Sequence, residues 1–330
     1  MAQTLFRSDD TDIWQYGFGR GALGDKTVSS PETITPTFTT ASGTVGGTAV
    51  TAGSTAFANG DLVYIMQFTG SGVGTHELNR VKSGGGTTSL VMEKLLKNTY
   101  TVSGGTTASI IKILEYRNLT VNATLSYSTA QQTSATIIPI FVKNNFINNN
   151  TITLNGAGWR QGQTSFEGGL AGRQAFGNGL TTANARTRSA NGNGGGGGDG
   201  GSSYDAHLIG GAGGGGGGNA STGANGQTGS SSRLGGWAGV AAGNASLTNF
   251  SIGGGGGEGG GGPTVRGQPG GSGGGGLIIC AKNFDTSSGA VIRANGGDGS
   301  TGTLNNDGGG GGGAGGSILI NAQTAALVTS

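Results

Sequence analysis

The sequence predicts an all-β protein with essentially no α-helix: a β-sandwich or β-solenoid-like scaffold carrying a packed lattice of polyglycine II helices. Three observations predict it. Glycine fills 77 of 330 positions, against a usual share of about 7%, and stands in nearly pure runs at 194–198, 213–218, 253–257, 259–262, 273–276 and 308–313. Apolar, β-branched segments recur in pairs between those runs. No segment shows the 3.6-residue apolar spacing of an amphipathic helix.

From the N-terminus, residues 1–25 mix Phe6, Trp14, Tyr16 and Phe18 with Asp9, Asp10, Asp12 and Arg20. This spacing predicts a docking arm for another protein or for copies of the same chain. Residues 29–58 are rich in Thr, Ser, Gly and Ala and read as short strands and turns. Asp61–Phe68 is apolar and bounded by Asn59-Gly60 and Thr69-Gly70, so it reads as a strand. Leu90–Leu96 fits a short helix or a strand, and its flanking Gly and Thr favour a strand.

An internal repeat begins at Ile110. Ile110–Leu114 leads to Leu119–Asn122, Ile137–Val142 to Thr151–Gly156, Leu277–Ala281 to Val291–Gly296, and Ser317–Asn321 to Leu327-Val328. Each copy is an apolar strand, a polar connection and a second strand that mostly closes on Asn. Such pairs predict stacked β coils or a layered sandwich. Their unbroken apolar runs predict strands covered on both faces. The chain leaves this scaffold at Gly156 and returns at Leu277, then leaves at Gly296 and returns at Ser317. The expected units are therefore an arm (1–25), a β-rich scaffold (26–155) and a glycine-rich domain with exposed loops (156–330).

Fixed ends make the glycine runs rods rather than linkers. A threefold extended helix rises about 3.1 Å per residue and has no internal hydrogen bonds. Its N–H and C=O groups point sideways, toward neighbouring rods. A rod enclosed by neighbours needs glycine on all three faces, whereas one at an edge tolerates a side chain on one face. Glu258, Asp199 and Ser272 are expected to point to solvent. Ordering glycine costs more backbone entropy than any other residue, so the flanking strands must anchor the lattice.

Charge is sparse, 18 Lys+Arg against 16 Asp+Glu for a net +2, with no like-charge block. This argues against a nucleic-acid partner. Cys280 is the only cysteine, which excludes an internal disulfide, and among Leu277, Ile278 and Ile279 it is expected to pack as a small apolar residue. The first residues lack the basic start and apolar stretch of a secretory leader, and no apolar stretch is long enough for a membrane-spanning helix. A protein made in a cytoplasm and released by lysis, as a virion component is, fits both.

No catalytic constellation emerges. Matches to the dinucleotide glycine pattern do not follow a strand and open a helix. His76, His207 and Cys280 are too few for structural zinc. His207 with Asp205 lacks a marked nucleophile. Asp298 and Asp307 lie in Gly/Asn turns, where turn chemistry accounts for them. Oxygen ligands there could hold calcium, but no full loop signature is present. The expectation is a non-enzymatic protein with no cofactor and no metal. The candidate binding residues lie between glycine runs: Tyr204, Asp205 and His207, then Arg233 and Trp237, then Arg266. Aromatic faces beside a few hydrogen-bonding groups suit sugars or the loops of an outer-membrane protein.

The alternation of runs such as Gly194–Gly201 with mixed segments over about 190–316 resembles the glycine-rich adhesins that cap the long tail fibres of T-even-like bacteriophages. That resemblance implies an N-terminal attachment part, a polyglycine II domain, and receptor-binding loops at 202–209, 219–252 and 263–269. It implies a virion tail location and a host surface receptor, outer-membrane protein or polysaccharide, as partner. Ile292–Gly299 and Gly315–Ile320 also resemble glycine-rich β-solenoid modules of large bacterial surface proteins. The alternative expectation is a self-assembling extracellular filament or surface-layer subunit that adds strands to its neighbours.

Overall fold

The computed structural model describes residues 16–69, 71–72, 74–103, 106–127, 137–159, 195, 216–228, 234–241, 250–260, 267–302 and 308–327. Sixteen strands, and no helix element, order these residues. β1 (Asp25–Val28) and β2 (Glu32–Ile34) come first. β3 (Phe38–Gly43), β4 (Ala49–Ala52), β5 (Leu62–Thr69), β6 (His76–Ser83), β7 (Ser89–Met92) and β8 (Thr107–Lys112) follow. Then come β9 (Leu114–Tyr116), β10 (Asn118–Val121), β11 (Leu125–Tyr127), β12 (Ile137–Asn148) and β13 (Thr151–Thr153). The chain ends with β14 (Gly276–Thr286), β15 (Val291–Arg293) and β16 (Ser317–Leu327).

Two parallel sheets share one core. The larger runs β1-β10-β12-β14-β16, with β9 also pairing β12, and the smaller runs β15-β13-β11-β2. Successive passes of the chain place one strand in the larger sheet and the next in the smaller. Register aligns apolar columns: Ile138, Leu277 and Ile318 stand in line, as do Ile140, Ile279 and Ile320. Leu125 and Ile152 of the smaller sheet face them in the same core. Each fully buried Ile or Leu contributes roughly 1.5–3 kcal/mol. Asparagines bond from one pass to the next: Asn283 Nδ2 donates to Asn145 Oδ1 at 2.8 Å, and Asn295 N to Asn155 Oδ1 at 2.9 Å.

β12 and β14 are covered on both faces, as their apolar runs predict. Leu277, Ile279 and Ala281 enter the core between the sheets, while Ile278 and Cys280 join a second cluster on the opposite face. Cys280 is a free, buried thiol, and burial pushes its pKa up.

Residues 38–112 hold an element that composition does not reveal, a closed antiparallel barrel ordered β3-β4-β7-β6-β5-β8. β5 explains its seating. Val63 and Ile65 point into the barrel, whereas Leu62, Tyr64 and Met66 face the cluster containing Phe141, Ile278 and Leu319 of the larger sheet. The apolar run of β5 thus serves two cores at a period of two. A buried ion pair clamps the joint: Arg80 of β6 donates to both carboxylate oxygens of Glu115 in β9, at 2.9 and 3.0 Å. Both side chains are 3% exposed. Arg80 also donates to Gly60 O, and Glu115 accepts from Arg20 N.

The structure corrects three expectations. Ile110–Leu114 does not open a repeat, because β8 closes the barrel and the first sheet-to-sheet pass is β1–β2. Ser317–Leu327 is one continuous strand rather than a pair, since β14 beside it offers an equally long edge. Glu258 is fully buried instead of facing solvent. Ser272 is half-buried and Asp199 lies outside the described residues. The division at 155/156 runs between strands that pair across it in both sheets, β12 with β14 and β13 with β15.

Candidate binding surface

The glycine runs leave the smaller sheet after β13 and β15 and return to the larger at β14 and β16. Between those anchors they bond to each other through the main chain. Gly253, Gly256 and Gly259 donate to Gly274, Gly271 and Gln268. Gly308, Gly311 and Ala314 donate to Gly260, Gly257 and Gly254. Gly310, Gly313 and Gly316 donate to Ser300, Gly297 and Ala294. Every series steps by three residues on both partners. A segment with threefold screw symmetry presents each face once every three residues, and the pattern repeats that interval.

Close approach explains the composition. A Cβ on Gly256 would collide with Gly311 O, and one on Gly253 with Ala314 O. On Gly312 the nearest atom would be Gly297 O at 3.9 Å. Glycine is therefore obligatory on faces turned to a neighbour and optional on open ones. Glu258 shares its face with Ile252 and Gly255. Ile252 packs in the cluster under the barrel, and Gly255 O accepts from Gly195 N. That face turns inward, which is why the carboxylate is buried.

Segment 234–241 lies at the margin of this array. Gly226 N donates to Gly236 O, Gly223 N to Gly239 O, Gly239 N to Gly216 O, and Ala238 N to Asn225 Oδ1 at 2.8 Å. These contacts engage the faces carrying 235, 236, 238 and 239. The remaining face carries Leu234, Trp237 and Val240, which are 46%, 52% and 52% exposed. Three large apolar side chains stand at three-residue spacing. Residues 224–228 on the supporting side also wall a groove of about 530 Å³. Asn225, Gln227, Thr228, Ser300, Thr301 and glycine backbone line it, with no charged side chain.

Of the predicted binding residues, Trp237 lies on this face. Tyr204, Asp205, His207, Arg233 and Arg266 lie outside the described residues, as do Phe6 and Trp14 of the expected arm. Tyr16 and Phe18 are half-buried and pack against the cluster between barrel and sheet. The Tyr16 ring lies 4.4 Å from Lys94 Nζ and 5.6 Å from the Arg80 guanidinium carbon. The structure therefore sets both rings against the protein's own core. Leu234 and Val240 escaped the sequence reading, although their spacing about Trp237 was the signal that could have found them.

His76 is exposed at the start of β6, its Nδ1 3.0 Å from Gly74 O and its ring 5.4 Å from that of Tyr64. Among the described residues no three His, Cys, Asp or Glu side chains come together as a metal site would need. No described helix is long and apolar enough to cross a membrane. Comparison with protein-family models, with curated proteins and with solved structures finds no match.

Proposed function

We propose that this chain is a non-enzymatic adhesin of a virion tail, a fibre-tip protein that holds a host surface receptor on a polyglycine II lattice mounted on a β-solenoid. The carrying observation is the exposed row Leu234, Trp237 and Val240. Large apolar groups exposed in line mark interaction sites more than isolated ones do. Here they stand on a segment tied by main-chain bonds on its other faces, so little ordering entropy remains to oppose binding. The uncharged groove nearby adds amides and hydroxyls that suit a polysaccharide or a polar loop of an outer-membrane protein. The same reading gives receptor contact to Tyr204, Asp205, His207, Arg233 and Arg266 and attachment to Phe6 and Trp14. The three-residue bonding interval supports the polyglycine II assignment, and the alternation between two parallel sheets supports the solenoid.

The test is binding of the purified chain to a panel of bacterial cells. Trp237→Ser should weaken binding to a responsive host by about 2 kcal/mol, roughly thirtyfold, as loss of a central aromatic anchor does. The far-UV spectrum and unfolding midpoint should not change. Undiminished binding by a folded Trp237→Ser protein would remove the row from the receptor site. A second reading, a filament or surface-layer subunit, draws on one observation: β16 is an eleven-residue edge strand without a charge.

A further inference from the structure

The parallel stack ends on a half-turn. Among the described residues, β16 extends the larger sheet beyond β14 and the smaller sheet stops at β15. This leaves a step, with the outer edge of β15 on one side and the core-facing side of β16 on the other. Ile292, Ile318, Ile320 and Ala322 line it and are only partly buried. The same columns are closed further in: Ile140, Val142, Leu277, Ile279 and Ala281 are all 0% exposed. Gln323–Ala326 are exposed along the rest of the strand. The core therefore reaches an open end, bordered by a strand of eleven residues with neither charge nor proline.

The opposite end of the sheet differs. β1 has four residues. Asp25 is held by Arg117 at 2.8 Å, and Lys26 pairs with Glu32 at 2.8 Å. Short length and charge are the usual means by which an edge is kept from pairing. The β16 edge has neither.

We infer that β15 and β16 form a self-association surface whose occupant is a second copy of this chain, joined end to end about a two-fold axis. A step of this shape is its own complement. Rotation by half a turn sets the partner's β16 beside β15, in the position that the smaller sheet leaves vacant. It lays the apolar side of that strand on the apolar side of the first β16. The same contact in reverse completes the partner, so both half-turns close and the two cores become continuous. Such an isologous contact terminates at two subunits. The two β16 strands carry no charge and meet without repulsion. Head-to-tail pairing of β16 with β1 fits less well, because Asp25 and Lys26 put charges on the β1 edge. This inference stands independently of receptor binding.

Light scattering and sedimentation of the full chain test it. Across micromolar concentrations the mass should rise toward twice the 32.0 kDa of one chain and stop there. Ala322→Lys puts a charge on the step and should hold the protein at one chain mass. Should that half-buried position disturb folding, Ala325→Lys serves, because Ala325 is exposed and stands in register with Phe284 of the core. It should weaken association at least tenfold while leaving the circular dichroism spectrum unchanged. A wild-type chain that stays at one mass overturns the inference. So does a folded Ala325→Lys protein that dimerises unchanged, or growth into polymers, which would mean head-to-tail assembly.

Discussion

Replacing Gly256 by alanine should unfold the glycine array far more readily than replacing Gly312, although both lie in oligoglycine. The Gly256 methyl would collide with Gly311 O and meet Gly312 O at 2.7 Å. Neither atom can swing aside as a side chain does. Gly311 donates to Gly257 O and accepts from Gly271 N, while Gly256 itself donates to Gly271 O. Parting the two segments forfeits at least two such bonds, at about 1 kcal/mol each. Overpacking adds about 1–3 kcal/mol. Against this, alanine lowers the unfolded chain's entropy and returns about 0.4–1 kcal/mol. The net destabilisation for Gly256→Ala is about 2–5 kcal/mol. For Gly312→Ala the methyl meets nothing closer than 3.9 Å, so only the unfolded-state term remains, and the protein should gain up to about 1 kcal/mol. Denaturant unfolding measures both against wild type. Equal midpoints for the two variants would refute the facing-neighbour account and make the runs interchangeable spacers.

Two further predictions concern charge. Glu115→Gln should destabilise the protein by about 3–5 kcal/mol, because it removes the hydrogen-bonded counter-ion of the buried Arg80 guanidinium and leaves only the half-exposed Glu93 carboxylate, 3.9 Å from Arg80 Nε; the Arg80→Met/Glu115→Leu pair should lose less than that single change, and a larger loss would show the pair itself to be the stabilising unit. Hydrogen bonds from Arg117, then Asn118, hold the exposed Asp25 carboxyl at about 2, down from 3.8. Since the folded-state value is the lower one, its contribution to stability is present above pH 3.8 and fades as pH falls toward 2. Carboxyl-carbon NMR should show the low midpoint in the wild type and a return toward 3.8 in Arg117→Ala; an unmoved midpoint would assign the shift to another cause.

Legibility of the fold tracked how local each signal is. The runs in β5, β12 and β14 are apolar at every position that needs covering, so strand identity and two-sided burial could both be read. The ends of the glycine excursions were legible for the same reason: apolar strands bound them. Barrel closure was not, since β3 pairs with β8 through residues about seventy positions apart, and nothing in Phe38–Gly43 names that partner. β1 escaped because four residues with two charges do not look like the first strand of a parallel stack. Glu258 was misread because a lone carboxylate among glycines ordinarily marks the open face. Trp237 stood out as an aromatic, but its link with Leu234 and Val240 becomes meaningful only once all three are seen to be exposed beside main-chain bonds that step by three residues.

Sequence alone determined where side chains are absent and where apolar strands must lie, because a missing Cβ and an unbroken run of Ile and Leu restrict the backbone wherever they occur. Tertiary structure decided which face of each glycine segment meets a neighbour. It also decided which strand closes the barrel and which strands stand at the edges of the described sheets. The reason is physical: main-chain hydrogen bonds between glycine segments and between strands carry no residue code, so their partners are chosen by packing geometry across the folded chain.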